Sequence, residues 1–411
     1  MFGVLHFWTM SCRRWAFLTS ITFWAVIAPT FAADVKAPSR QEVGKAVERS
    51  LPYLEREGVA WIENHNCISC HHVPFLLWSH NAAMSAGIAV DEAKLARWNE
   101  WTAGKSLSMR GFFTLSETSL TQLRGDGVPD AVLAQLRALA GKKFATESEF
   151  VAAVGEILKP AELAAHRKAI IGRAAHVPGE TDGGGLDTLA QLLLGRSRTE
   201  RGLMVEFVAQ APQLMVAWQQ PGGQWKAAGQ LPNLNRPLAE TDAVATKWAV
   251  LALAALDKPS PQVARGLERA LPSVKDVGTF KSTESLITAA LIARRFGQQE
   301  QSGARVAELL RMQNADGGWS WAVGGRSDAF ATGQALYALG LIDARQATPW
   351  IDRARKYLIE TQQEDGSWAT TGEGISNAAT PQRKKKVEPI YRYWGTAWAT
   401  IGLCSSGPGK K

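Results

Sequence analysis

One spacing recurs three times in the second half of this 411-residue chain. A large apolar residue is followed by Gln four places on, Gly four places further and Trp two places beyond that. Met215, Gln219, Gly223 and Trp225 form one copy, Leu309, Gln313, Gly317 and Trp319 another, and Leu358, Gln362, Gly366 and Trp368 the last. The tryptophans are 94 and 49 residues apart; 94 is close to twice 47, so a unit that has lost the motif is expected between the first two. Self-similarity at such a period marks a repeat architecture whose units bury their apolar faces on one another.

A second element follows each motif. Asp242-Ala-Val-Ala-Thr246, Glu284-Ser-Leu-Ile-Thr288 and Asp328-Ala-Phe-Ala-Thr332 each open a run rich in Ala and Leu, and Thr396 to Leu403 is the final copy. The threonines at 246, 288 and 332 are 42 and 44 residues apart, so the segment from Glu284 supplies the missing unit. Each unit reads as a helical hairpin. An amphipathic helix ends at the glutamine, a Gly-Trp turn follows, and the next helix is apolar on nearly all sides and must lie inside. Strand signals are absent, and Gly and Pro punctuate the turns. The spacing predicts an all-α chain of about six hairpins, with inner and outer helices, closed into a single ring so that the inner helices have no exposed ends. Tyr53-Leu54 through Gly58 and Trp61 reads as a shortened copy of the last motif, and Pro74–Gly87 as its inner helix. Residues 91–200 are helical by pattern but poor in motif. His176–Asp187 reads as a Gly-rich loop, and Arg383-Lys-Lys-Lys386 as a solvated loop before the last inner helix.

These repeats resemble the motifs of squalene–hopene cyclases and their relatives, the oxidosqualene cyclases and protein prenyltransferase β subunits. The resemblance is clear over 205–403 and weak over 45–200, and it implies an α/α toroid. It is specific for fold and much less so for activity. The Asp-x-Asp-Asp motif with which squalene–hopene cyclases protonate their substrate is absent, and the chain has length for one toroid rather than their two. Prenyltransferase β subunits hold zinc with Asp, Cys and His; nothing near Cys404 supplies the other two ligands. No thioester motif is present. The departures put ordinary cyclase or prenyltransferase activity in doubt.

The N-terminal half carries a different signal. Cys67, Cys70 and His71 form Cys-x-x-Cys-His, the pattern by which haem c is attached through two thioethers, the histidine then binding the iron. Residues 1–33 hold no acid, the bases Arg13 and Arg14, an apolar run from Trp15 to Ile27 and the small-residue stretch Ala28–Ala33. They read as a signal peptide, with an uncleaved anchor as the alternative, and place the protein in the periplasm. A twin-arginine reading is set aside because Phe17-Leu18 comes one place too late. The domain organisation follows: 1–33 signal peptide, 34–200 a haem-bearing N-terminal part of the toroid, 201–411 the squalene-cyclase-like repeats. Removing 1–33 lowers the net charge from +8 to +6, spread without a long basic stripe, which argues against nucleic acid as a partner. A negatively charged redox partner protein or membrane surface is compatible with this balance, though charge alone supports neither. A zinc site built from Cys67, Cys70 and two of His65, His71 and His72 is a second reading of the motif, and a short-loop disulfide a third.

The sixth iron ligand is unassigned among His72, His80, Met84, Met109, His176, Met215 and Met312, with an open iron site as the other alternative. Asp242, Glu284 and Asp328 each open an inner helix. They read either as helix caps or, if the ring gathers them at one mouth with Asp182 and Asp187, as catalytic proton donors. Trp225, Trp319 and Trp368 read as structural. Trp248, Tyr337, Trp394 and Trp398 lie on inner helices, where they pack the core or line a cavity for a hydrophobic, terpenoid-like ligand. Three functions follow: a haem-dependent redox protein acting on or beside such a ligand; a non-redox cyclase or isomerase using the mouth acids; and a binding or electron-transfer module without catalysis.

Overall fold

Each copy of the repeat folds as a helical hairpin, and the hairpins close into a ring. The structure, a computed structural model, describes residues 36–411 apart from 66, 70, 109–112, 145–146, 175–184, 198–200, 228–237, 276–279, 343–344, 371–380 and 408–411. Residues 1–33, read above as a signal peptide, lie outside the described residues. Residues 37–411 form one unit. Its helices are α1 (Arg40–His65), α2 (Val73–Ser85), α3 (Glu92–Ser108), α4 (Glu117–Gly125), α5 (Asp130–Leu136), α6 (Glu147–Gly155), α7 (Pro160–Ala174), α8 (Leu186–Gly195), α9 (Leu203–Ala217), α10 (Leu238–Ala254), α11 (Pro261–Ala270), α12 (Thr283–Arg295), α13 (Gln299–Arg311), α14 (Ala329–Ile342), α15 (Thr348–Thr361) and α16 (Pro381–Ser405). Among the described residues, β-pairing is limited to isolated bridges.

The inner ring is α2, α8, α10, α12, α14 and α16, each packed on the next, with α16 packed back on α2. Outer helices cover it: α3 on α2, α9 on α8, α11 on α10, α13 on α12, α15 on α14, and α1 on α16 and α2. Composition dictates the layering. In α14 every residue from Ala329 to Leu339 is buried, whereas α13 buries only Ser302, Val306 and Leu309. Among the described residues, the helices form an all-α toroid of six hairpins. Among the described residues, no helix is long and apolar enough to cross a membrane.

The motif residues explain how neighbouring hairpins join. The indole N–H of Trp225, Trp319 and Trp368 donates to the carbonyl ten residues earlier, of Met215, Leu309 and Leu358, at 2.6, 2.8 and 2.7 Å. Each bond satisfies a carbonyl near the end of an outer helix. The glutamine amide bridges two units: Gln219 donates to Gly223 and Gly266, Gln313 to Gly317 and Trp350, Gln362 to Gly366 and Ala46. The motif glycines have φ of +90°, +92° and +83°. A Cβ at Gly366 would lie 1.9 Å from the Arg49 carbonyl oxygen, so only glycine permits this approach. The last motif therefore docks on α1, and this contact closes the ring.

The repeated threonines complete the joint. Thr246, Thr332 and Thr396 accept the backbone N–H of Trp225, Trp319 and Trp368 at 3.0, 2.9 and 3.0 Å. In the motif-less unit, Thr288 instead donates to the Glu284 carbonyl at 2.8 Å.

Two local expectations are corrected, and the motif-poor stretch gains an explanation. The supposed turn at Gly58 and Trp61 is helical, because α1 runs through both to His65, with Gly58 letting Leu76 and the Tyr393 hydroxyl approach. Arg383–Lys386 is not a loop but the opening of α16, started by Pro381. Residues 113–174 are an insertion with its own core, including Leu115, Leu136, Phe150 and Val154. Its ends meet where Thr114 N–H donates to the Ala174 carbonyl at 2.9 Å.

Candidate functional site

The Cys67–His71 loop joins α1 to α2, the first outer–inner pair. Ser69 turns it with φ +55°, a left-handed conformation uncommon for a residue with a Cβ. Its buried hydroxyl oxygen holds the turn by accepting the backbone N–H groups of His72 at 2.9 Å and His71 at 3.4 Å. Cys67 is a free, partly exposed thiol. Cys70 lies outside the described residues.

His71 is 2 % and His72 7 % exposed, and they face each other through their Nδ1 atoms, 2.5 Å apart. An aromatic column surrounds them. Trp61 stacks on His65 at 3.8 Å on one face and on His72 at 4.6 Å on the other, and Tyr393 covers His72 at 4.3 Å. Trp61 and Trp394 meet His71 edge to face at 4.6 and 6.0 Å. Burial lowers the His71 pKa to about 3 and that of His72 to about 2, with neighbouring histidines pushing the same way. Both rings are neutral near pH 7, the protonation state that ligates a metal.

His71 supplies the kind of donor a haem c would need, a neutral imidazole whose Nδ1 already faces a hydrogen-bonding partner. Among the described residues, the buried indole N–H groups of Trp61 and Trp394 have no acceptor. Two such orphans beside one histidine are costly unless something supplies acceptors, roughly 1–3 kcal/mol each. Among the described residues, no group of three or more His, Cys, Asp and Glu could hold a metal ion by itself.

Trp394 also touches Phe75 and Phe330, which line the central chamber of the ring. All six inner helices contribute to that chamber: Phe75 and Trp78 from α2, Asp187, Gln191 and Leu194 from α8, Trp248 from α10, Glu284 from α12, Phe330 from α14 and Trp398 from α16. Trp398 is the hub, 5.1 Å from Trp78, 5.8 Å from Trp248 and 5.6 Å from Tyr337. The rings fill it almost completely: the cavity between them is about 10 Å³, room for roughly one water molecule.

The candidate acids separate. Glu284 lines the chamber, 3 % exposed, and accepts the Trp248 indole N–H at 2.8 Å. Asp187, 2 % exposed, lines it with Glu284. Asp328 caps α14 by accepting Ala331 N–H at 2.8 Å and also accepts Trp321 N–H. Asp242 is exposed, accepts Ala227 N–H at 2.9 Å and sits 3.7 Å from Lys226. Asp242 and Asp328 thus pin the residue two places after the motif tryptophan. Asp182 lies outside the described residues.

Of the sixth-ligand candidates, Met109 and His176 lie outside the described residues. Met215 is fully buried on an outer helix, while Met84 and Met312 are partly buried. His80 Nδ1 meets the Leu76 carbonyl at 2.7 Å, and burial lowers its pKa. Burial raises the Cys404 thiol to about 12, which disfavours the thiolate a metal needs.

The sequence reading missed Trp61 and Tyr393 as walls of the histidine cluster, and Phe75 and Gln191 as chamber residues. Trp61 and His65 could have been paired by their four-residue spacing on one helix.

Comparison with known proteins places these features. A solved polysaccharide lyase aligns over 89 % of this chain and 96 % of its own at 12 % identity, with a TM-score of 0.35, too low to bear on the fold. A drimenyl diphosphate synthase from Streptomyces showdoensis is 38 % identical over 77 residues, 18 % of this chain; the chain spans only 14 % of that enzyme's length. Residues 286–411 match the squalene-hopene cyclase C-terminal domain family, and this stretch is terpenoid-cyclase-like.

Proposed function

We propose that the chain is an exported c-type haem protein on a squalene-cyclase-like toroid, serving electron transfer or haem-dependent redox chemistry beside the central chamber. The observation that carries this reading is the cluster at His71. A buried neutral imidazole stands directly after the Cys-x-x-Cys pair, its Nδ1 bonded, in contact with two tryptophans whose indole N–H groups find no acceptor among the described residues. Cys67 and Cys70 would form the thioethers and His71 would hold the iron. Bound haem supplies a one-electron ferric–ferrous couple. Trp61 and Trp394 shield His71 from water, and their indole N–H groups would be available as donors to such a group. Trp394 separates this cluster from the chamber by a single ring layer. Residues 1–33 support export, and haem attachment to an exported chain agrees with it. The natural partner is a redox protein, and the aromatic chamber is where a hydrophobic, terpenoid-like ligand would enter once rings move aside.

A second reading has its own support: the family match over 286–411, together with Glu284 and Asp187 facing one chamber. In it the chamber acids carry a non-redox isomerisation and haem is structural. Replacing His71 by Ala distinguishes the two. The redox reading expects an altered Soret spectrum and loss of electron transfer, with helicity by circular dichroism retained. Turnover of a terpenoid that survives His71→Ala but is lost in Glu284→Gln would establish the second reading instead.

A further inference from the structure

We propose that His72 is the positioning residue of His71: its Nδ1 accepts the proton that His71 carries on Nδ1, so that His71 presents Nε2 as the lone pair for iron. This rests on the haem reading above. Two neutral imidazoles that meet nitrogen to nitrogen must divide the roles, one N–H and one lone pair. Ligation through Nε2 requires the His71 proton on Nδ1, and the atom facing it, 2.5 Å away, is His72 Nδ1. His72 therefore carries its own proton on Nε2.

The arrangement is rigid as well as close. The His72 ring is clamped between Trp61, tilted 11° from it, and Tyr393, tilted 27°. Tyr393 is itself fully buried and donates its hydroxyl to the Leu54 carbonyl at 3.2 Å. Ser69 fixes both histidine backbones through one oxygen. Rotating His72 away requires displacing a tryptophan or a tyrosine. An acceptor on Nδ1 makes the ligating nitrogen a stronger donor, which favours the ferric state and lowers the midpoint potential.

The test compares haem-loaded wild type, His72→Leu and His72→Asn by redox titration. Asparagine places Oδ1 close to where Nδ1 stood and can still accept. The midpoint potential should rise in His72→Leu and return towards wild type in His72→Asn; an unchanged potential in a haem-loaded His72→Leu overturns the proposal. Nitrogen-15 imidazole spectra of wild-type protein made without maturation factors give a second reading that needs neither haem nor a variant. Protons on His71 Nδ1 and His72 Nε2 support the proposal, and the reverse assignment overturns it. A wild type that takes up no haem defeats the haem reading separately, since the tautomer measurement still reports on the pair.

Discussion

Thr332 shows how much a single hydroxyl does in this ring. It accepts the backbone N–H of Trp319, a tryptophan with no exposed surface, in a joint that recurs at Thr246 and Thr396. Thr332→Val leaves that N–H buried without a partner and should cost about 1–3 kcal/mol in urea unfolding. Thr288, whose unit lacks the tryptophan, loses only a hydroxyl that donates to carbonyls of its own helix. Its valine variant should cost less than half as much; equal costs would refute the joint. His80 carries a second residue-scale consequence. Burial holds it below the ordinary histidine value of 6.5, so the folded state binds fewer protons than the unfolded chain. Its contribution is complete above pH 6.5 and is lost as pH falls below that value, by up to about 1.4 kcal/mol per pH unit. The urea midpoint should drop between about pH 7 and pH 5, and less steeply in His80→Leu. His71 and His72 push in the same direction.

Between elements, the ring depends on a joint made from both ends of the described fold. Gln362 and Gly366 dock on the second and third turns of α1, as Gln219 and Gly223 dock on α11. Gly366→Ala combines an unfavourable positive φ with a clash against the Arg49 carbonyl. It should destabilise by at least about 2 kcal/mol, read as a lower midpoint in thermal unfolding followed by circular dichroism. A change below roughly 0.5 kcal/mol would mean that the contact does not close the ring. The hairpins of the second half were legible in the sequence because each repeats both parts of this joint. The first half was less so. Gly58 imitates a motif glycine but lies within α1, where close packing against Leu76 explains it. Residues 113–174 show no toroid spacing because they pack on themselves. The basic run 383–386 suggested a loop from its charge, yet Pro381 starts a helix that the apolar residues further along α16 carry into the ring.

For the whole molecule, a redox reading asks the toroid to hold a prosthetic group at one joint and a packed aromatic centre beside it. Trp248 and Trp398 were legible as chamber residues because they fall on helices that are apolar on nearly all sides, whereas Tyr337 and Trp394, read the same way, are not in the chamber lining. The separation of the acids was not legible, since four-residue spacing before a threonine describes Asp242, Glu284 and Asp328 alike. Only the fold shows that Glu284 reaches the chamber while the other two hold turns. The decisive measurement is an intact mass and Soret spectrum of the full chain expressed with cytochrome c maturation factors. A product heavier by one haem after denaturation, and unmodified when Cys67 and Cys70 are both replaced by alanine, is the predicted result. A colourless wild-type protein whose mass shows no added group would contradict it.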